Sequence, residues 1–355
     1  MKMENTSPYL LTLAAYQYEL PQELIAQVPH VPRDHSRLLL VDKQKGELSE
    51  IKFFELADFL QEEDHLVFND TKVIPARIFG NRLHKTVIGG DVEIVLLKRL
   101  SHDTWEALAK PGKKLKIGTW IQLGEDFKAE ILNTTLEGTK ILRFSWEGLF
   151  EDVLNRYGQL PLPHYIQRSK PSTTDVEQYQ TVFAANSGAS AAPTAGLHFT
   201  QRLLDELSIK GIVQNKLTLH VGLGTFRPVK SEDIRLHQMH TEKVIIPGET
   251  AVQLNQKDKN KKCICIGTTC CRALESAATA QGIILPGQYE TNIFIYPGYR
   301  FKYVNALLTN FHLPRSSLLM LVSAFGGYEL IKEAYQKAIK DRFRFYSYGD
   351  AMLIF

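Results

Sequence analysis

The sequence predicts an α/β protein: a mixed α/β domain that carries an inserted small all-β, barrel-like domain. Helix and strand patterns alternate at both ends of the chain, and between about residues 66 and 150 they give way to short β-rich runs broken by glycine. Size points the same way, because 355 residues exceed one comfortable hydrophobic core and favour domains of roughly 100 to 250 residues. The expected division is residues 1–65 with 151–355 for a discontinuous α/β domain, and 66–150 for the insertion.

Near the N-terminus, Pro21 suits the first turn of a short helix over Gln22 to Ala26. Arg37 to Val41 is an apolar run of strand length, and Phe53 to Leu60 places Phe54, Leu56, Phe59 and Leu60 at helical intervals. The β-rich runs are Leu66–Phe68, Ile74–Ile78, Asp91–Leu97, Thr104–Ala109, Trp120–Leu123, Ala129–Leu132 and Ile141–Ser145. Turns at Gly89-Gly90, Pro111-Gly112, Gly118 and Gly138 separate them, a spacing that predicts a small barrel or sandwich. After Tyr157 the alternation returns: a helix over Arg202 to Ser208 stopped by Gly211, then a strand over Ile212 to Val221. A strand over Lys262 to Ile266, a helix over Cys271 to Ala280, a strand over Asn292 to Tyr296 and an apolar helix over Ser316 to Ala324 follow. The basic and aromatic run Arg342 to Asp350 reads as a nucleic-acid contact or as a terminal strand packed on the core.

Hydrophobic residues make up 44% of the chain and charged residues 23%, which excludes global disorder. The longest apolar stretch, Leu318 to Phe325, is far shorter than the ~20 residues of a membrane span, so no membrane partner is expected. The apolar run Tyr9 to Ala15 follows Glu4 and leads into no cleavage pattern, so it reads as mature protein. Cys263, Cys265, Cys270 and Cys271 share one window without a histidine, which suits a buried element in a reducing, cytoplasmic compartment. A net charge of +3 permits a nucleic-acid partner without requiring one, since phosphate affinity follows local lysine and arginine density.

Five segments are too rich in polar, glycine and histidine residues for ordinary core. Phe68 to Arg77 ends a strand in Asn69, Asp70 and Thr71, offering an amide, a carboxylate and a hydroxyl at the expected domain junction, where ligand clefts form. The alternative is an Asx-turn, with Lys72 and Arg77 as phosphate contacts or surface charges. Ala192 to Thr200 places Thr194, Gly196 and His198 before a helix; small residues let a ligand approach the backbone, and His198 can exchange a proton near neutrality or serve as a structural histidine.

Thr218 to Pro228 runs a strand bearing His220 into a Gly-x-Gly loop with Arg227, which lacks the third glycine of a dinucleotide fingerprint. His237, His240 and Glu242 follow without the His-Glu-x-x-His order of zinc hydrolases, so no metal is expected. Ile266 to Ser276 sets Gly267, Thr268 and Thr269 between a strand and a helix, with backbone N–H groups and two hydroxyls for a carboxylate or hydroxyl-rich ligand. Arg272 and Glu275, three apart, are otherwise a surface pair. Tyr296 and Tyr299, with Asn310, His312 and Arg315, mix aromatic, amide and basic groups of the kind that stack on and read unpaired bases, or else pack a satisfied loop.

Taken in order, LVFNDTKVIPAR (Leu66–Arg77), APTAGLHFT (Ala192–Thr200), TLHVGLGTF (Thr218–Phe226), Gly267–Ser276, TNIFIYPGYRFK (Thr291–Lys302), TNFHLPRSSLLMLVS (Thr309–Ser323) and SYGDAMLI (Ser347–Ile354) resemble the S-adenosylmethionine:tRNA ribosyltransferase-isomerase family of epoxyqueuosine-forming enzymes. The resemblance runs from about Tyr18 to the end. Cys270-Cys271 stands where Ser-Val is expected, and Leu83–Gly90 is slightly longer than usual. The resemblance implies that S-adenosylmethionine is a co-substrate whose ribosyl skeleton is transferred and rearranged, with no metal. It implies an acceptor tRNA with a GUN anticodon (Tyr, His, Asn, Asp) carrying 7-aminomethyl-7-deazaguanine at the wobble position, and a monomeric enzyme with an inserted β-barrel.

Such chemistry needs a base for the acidic proton beside the sulfonium, an acid to assist adenine departure, and exclusion of water. On chemical grounds His198 or His220 is the expected base, and Asp70 orients the amine or donates to adenine. Thr194, Gly196, Gly267, Thr268, Thr269 and Arg272 are the expected S-adenosylmethionine contacts. Asn69, Lys72, Arg77, Tyr296, Tyr299, Asn310, His312 and Arg315 are the expected tRNA contacts. The other classes open to this sequence are a metal-dependent hydrolase using His198, His220 and His240, a tRNA-binding protein without turnover, and a methyltransferase.

Overall fold

The computed structural model describes residues 7–84, 87–167, 173–222 and 229–355. A nine-stranded mixed sheet runs in the order Gly287–Thr291, Glu242–Ile246, Val213–Leu219, His65–Asn69, Cys263–Ile266, Ala306–Asn310, Ala351–Ile354, Arg37–Asp42, Glu47–Lys52. Four central strands, Val213–Leu219, His65–Asn69, Cys263–Ile266 and Ala306–Asn310, are mutually parallel. Their carboxyl ends share one edge.

The central strands His65–Asn69, Cys263–Ile266 and Ala306–Asn310 are wholly buried because both faces are covered, as parallel sheets require. Leu39 and Val41 join one core, with Val67, Cys263, Cys265, Leu307, Met352 and Ile354, under the helices Gly248–Gln256, Thr268–Ala277, Ser317–Gly326 and Tyr328–Lys340. Their neighbours Leu38 and Leu40 join the opposite core, with Leu66, Phe68, Ile264, Ile266 and Leu308, under the helices Leu56–Phe59 and Gln201–Ile209. The two-residue strand period thus sorts consecutive side chains into two layers.

The glycine-broken segment folds into a closed antiparallel ring of six strands: Arg77–His84, Val87–Arg99, Thr104–Lys110, Lys140–Ser145, Lys128–Thr134 and Trp120–Gln122. Closure comes from Asn81↔Gln122, Arg82↔Ile121 and Leu83↔Trp120. A Cβ on Gly80 would collide with the Gln122 carbonyl, so glycine there lets the two strands meet. Ile78, Ile94, Leu96, Ala107, Ile121, Ala129, Ile131 and Leu142 fill the ring with a core of its own.

Three sequence expectations are corrected. The run Leu66–Phe68, grouped with the β-rich segment, lies within His65–Asn69, a fully buried strand at the centre of the large sheet. Unbroken apolar character belongs to such a strand, whereas the ring strand Thr104–Lys110 alternates. The strand expected over Asn292–Tyr296 is instead Gly287–Thr291; Thr291 pairs with Glu242, the first residue of its partner strand, so the ladder stops there. The terminal strand is Ala351–Ile354, and most of Arg342–Asp350 is irregular chain leading to it. The 328–340 helix, with Ile331, Ala334, Tyr335 and Ala338 buried on one face, was not expected.

Candidate active site

Open α/β sheets bind ligands beyond the carboxyl ends of their parallel strands. Here those ends deliver Asn69-Asp70-Thr71, His220, Gly267-Thr268-Thr269 and Asn310 to one edge. A cleft of about 760 Å³ opens between this edge and the ring; Lys72, Gly188, His220, Glu242 and Lys243 face Lys98 and Glu106 across it. The ring is tied down by Ser190 Oγ, which donates to the Leu96 carbonyl at 2.5 Å, by the Lys98–Glu290 ion pair at 2.7 Å, and by a contact of His240 Nδ1 with Glu137 Oε2 at 3.3 Å.

Asp70 is a pinned carboxylate. Thr218 Oγ1 donates to Oδ1 at 2.6 Å, Asn186 Nδ2 donates to Oδ2 at 3.0 Å, and the backbone N–H groups of Ala185 and Asn186 donate to its carbonyl. Asn69 beside it is spent on the fold. Its Nδ2 donates to the Leu219 carbonyl at 2.9 Å and its Oδ1 accepts the Leu219 N–H at 2.9 Å, so the amide extends the ladder past its last backbone pair.

His220 stands at the end of the Val213–Leu219 strand, its Nδ1 2.8 Å from Thr71 Oγ1. Burial lowers its pKa from the ordinary 6.5, Lys243 adds to the effect, and Asp70 opposes it. The ring is therefore neutral near pH 7 and able to accept a proton.

His198 sits on the short 3₁₀ turn Thr194–His198, stacked on Phe53 at 4.9 Å between centroids and 4% exposed. Asn310 Nδ2 donates to the Tyr346 carbonyl at 3.1 Å, which fixes the amide; the same group reaches His198 Nε2 at 3.1 Å. Nε2 is then an acceptor, and Nδ1 carries the proton that it donates to Ser36 Oγ at 2.7 Å. Burial pushes the His198 pKa down to about 4. Both ring nitrogens are committed to the protein.

The remaining expected residues divide between the edge and the interior. Lys72 is exposed and lines the cleft. Thr268 and Thr269 are buried at the start of the Thr268–Ala277 helix; its N-cap, Gly267, has φ of +95°, a conformation that favours glycine. Thr194 starts the 3₁₀ turn, whereas Gly196 is packing: a Cβ there would lie 2.7 Å from the Phe183 ring and 2.9 Å from Thr181 Cγ2. Arg272 and Glu275 are not a surface pair. Arg272 is ion-paired in the interior with Glu242, and its Nε donates to the Ile293 carbonyl at 3.2 Å. The Glu275 carboxylate accepts the N–H groups of Lys302, Tyr303 and Val304 at 2.8 to 3.0 Å and the Tyr299 hydroxyl at 3.1 Å. Tyr299 is thereby tethered to the protein, and Tyr296 packs on the same core.

Asn310 and His312 offer no edge to a base. Both are buried; His312 Nε2 lies 2.9 Å from Thr309 Oγ1, its backbone N–H donates to the Tyr335 hydroxyl, and burial lowers its pKa to about 3. Asn310 ends the fully buried strand Ala306–Asn310, and His312 follows two residues on, still in the interior. Arg77 lies in the ring beside Glu93, with Nε to Oε1 at 3.2 Å, and Arg315 is exposed near Glu232 at 3.6 Å. The expected loop around Gly224 and Arg227 lies outside the described residues. Among the described residues, no three or more histidine, cysteine, aspartate or glutamate side chains gather as a metal ion would need. Sequence reasoning missed Asn186, Thr218 and Gly188, which hold Asp70 and His220; the Ser187-Gly188 pair was the one local signal.

Residues 13–354 match a family described as queuosine biosynthesis protein. The chain is 49% identical over 346 residues to the S-adenosylmethionine:tRNA ribosyltransferase-isomerase of Acetivibrio thermocellus, spanning 97% of this chain and 100% of that one. It is 47% identical over 341 residues to the protein of the same name from Clostridioides difficile, spanning 96% and 98%. The crystal structure of the S-adenosylmethionine tRNA ribosyltransferase of Thermotoga maritima superposes with a TM-score of 0.54 at 35% identity, over 96% of this chain and 100% of that one.

Proposed function

Because the chain belongs to the queuosine biosynthesis protein family, we propose that it is an S-adenosylmethionine:tRNA ribosyltransferase-isomerase. It transfers and isomerises the ribosyl moiety of S-adenosylmethionine onto the 7-aminomethyl-7-deazaguanine base at the wobble position of tRNA, forming epoxyqueuosine and releasing adenine and methionine. The observation that carries this reading is identity of 47 to 49% over nearly the whole length of relatives bearing that name.

The acceptors in this reading are tRNAs with GUN anticodons, and the enzyme acts as a monomer in the cytoplasm. Four buried, free cysteines fit a reducing compartment. No helix among the described residues is long and apolar enough to cross a membrane. The ring, with strands from Arg77 to Ser145, is read as an inserted domain that forms one wall of the reaction cleft.

Of the two histidines, His220 borders the cleft and is assigned as the base. His198, held at both nitrogens, orients the Ser36–Asn310 part of the edge. Asp70, fixed by Thr218 and Asn186, orients the attacking amine or the departing adenine. Lys72 meets the tRNA backbone, and the turn at Gly267–Thr269 contacts the methionine or ribose portion. Walls on both sides of the cleft limit water around the reacting carbon.

The decisive assay incubates the protein with S-adenosylmethionine and tRNA carrying the aminomethyl base, then quantifies adenine, methionine and S-adenosylhomocysteine by mass spectrometry. Equal adenine and methionine with a matching mass gain on the tRNA is the expected result. Release of S-adenosylhomocysteine would make the protein a methyltransferase, and tight tRNA binding without turnover would leave a binding module.

A further inference from the structure

Thr71 is fully buried on the short strand Thr71–Val73, which pairs in parallel with Asn186–Ala189, Thr71 opposite Asn186. Its Oγ1 lies 2.8 Å from His220 Nδ1 and 3.5 Å from the Asn186 carbonyl oxygen. From the same partner strand, Gly188 closes on the imidazole: a Cβ there would fall 2.9 to 3.1 Å from Cε1, Nδ1 and Nε2. The ring is fixed at one nitrogen and along one side. Among the described residues Nε2 makes no hydrogen bond, and the residue lines the cleft.

A neutral imidazole carries one lone pair and one proton on its two nitrogens, so whatever bonds Nδ1 decides what Nε2 can do. The Thr71 hydroxyl has a single hydrogen and two acceptors within reach. Donated to Nδ1, that hydrogen leaves the ring proton on Nε2, which can then only donate. Donated to the Asn186 carbonyl, it leaves Oγ1 to accept an Nδ1–H, and Nε2 carries the lone pair. We propose that Thr71 is the positioning residue of His220, its hydroxyl donating to the Asn186 carbonyl and accepting the Nδ1 proton so that Nε2 is the proton acceptor in the cleft.

This inference rests on His220 being the base. The Nε2 lone pair takes the proton from the carbon beside the sulfonium, the C–H electron pair stays on that carbon, and an imidazolium results with Nδ1–H still held by Oγ1. No hydroxyl reorientation accompanies the step. Asp70 and Lys243 are the charged groups acting on the ring, the first favouring and the second opposing the imidazolium. Lys72 lines the same cleft.

Nitrogen-resolved NMR of the full chain with isotope-labelled histidine reads the tautomer without any turnover, the His220 signals being assigned by their loss in His220→Gln. Above the pKa of the ring, Nε2 is expected at the shift of an unprotonated nitrogen and Nδ1 at that of an N–H; the reverse pattern overturns the proposal. Thr71→Val is expected to shift the population toward Nε2–H and to lower kcat by about 10-fold or more with little change in KM for S-adenosylmethionine, while Thr71→Ser restores both. A Thr71→Val variant that keeps the wild-type tautomer also overturns it, and the wild-type and Thr71→Ser spectra serve should the valine variant fail to fold. Full turnover by His220→Gln would defeat the base assignment instead, whatever the spectra show.

Discussion

The guanidinium of Arg272 is ion-paired with the carboxylate of Glu242 where the two side chains are only 2% and 5% exposed. Among the described residues Arg272 Nη2 has no hydrogen-bond partner, so the pair is desolvated without complete compensation. Such a pair adds little net stability when intact, and removing the Glu242 carboxylate leaves the Arg272 charge buried without the acid that balances it.

Glu242→Leu is therefore expected to destabilise the protein by about 3–5 kcal/mol, and the double variant with Arg272→Met by much less than the sum of the two single losses. Urea unfolding of the three variants checks it. Additive losses would mean that the pair is not energetically coupled.

Acid stability follows from the buried histidines. In the unfolded chain His198 and His312 protonate near their ordinary 6.5, whereas in the folded protein burial holds them unprotonated down to about 4 and about 3. The unfolded state binds more protons within that window, so stability falls as pH drops from about 6.5 and the loss levels off below the folded values. The full loss is on the order of 3 kcal/mol for His198 and 5 kcal/mol for His312. Unfolding free energies measured across the window should fall less steeply for His312→Gln than for wild type; an unchanged slope would refute the assignment.

The cleft histidine and the interior one should separate in single-turnover kinetics. His220→Gln is expected to slow the chemical step by ~100-fold or more while thermal stability changes little. His198→Ala removes a stacked, doubly hydrogen-bonded ring and is expected to lower the melting temperature. Gly188→Ala, whose φ of +148° disfavours a side chain and whose Cβ would press on His220, should behave like His220→Gln in rate. A normal rate for Gly188→Ala would show that the ring position is not critical.

Lys72 makes no ion pair among the described residues and is exposed beside the cleft. Lys72→Ala should weaken tRNA binding and reduce the dependence of log affinity on log salt by about 0.7–1. Titrations at several salt concentrations measure it, and an unchanged slope would place the phosphate contacts elsewhere.

Much of this molecule was legible in its sequence because strand and helix periods are local. Apolar runs such as Arg37–Val41 and Lys262–Ile266 marked the sheet, and the glycine-broken segment marked the ring. Leu66–Phe68 was assigned to the wrong sheet, since an apolar run announces a strand but not its neighbours.

The polar residues divide for a similar reason. Sequence alone placed Asn69, Asp70, Thr71, His198, His220 and Gly267 at or near element ends, because turn, cap and strand signals depend on a few adjacent residues. Which of the polar residues face the cleft depends on long-range packing. Asn310, Arg272 and Glu275 were drawn inward where partners distant along the chain, Tyr346, Glu242 and the Lys302–Val304 backbone, bond to them away from water, while His312 is held by Thr309 three residues before it. His220 kept a place on the cleft because Thr71 and Gly188, about 149 and 32 residues away along the chain, converge on it. Hydrogen-bond satisfaction in a packed interior is a property of three-dimensional neighbours, and no local pattern encodes it.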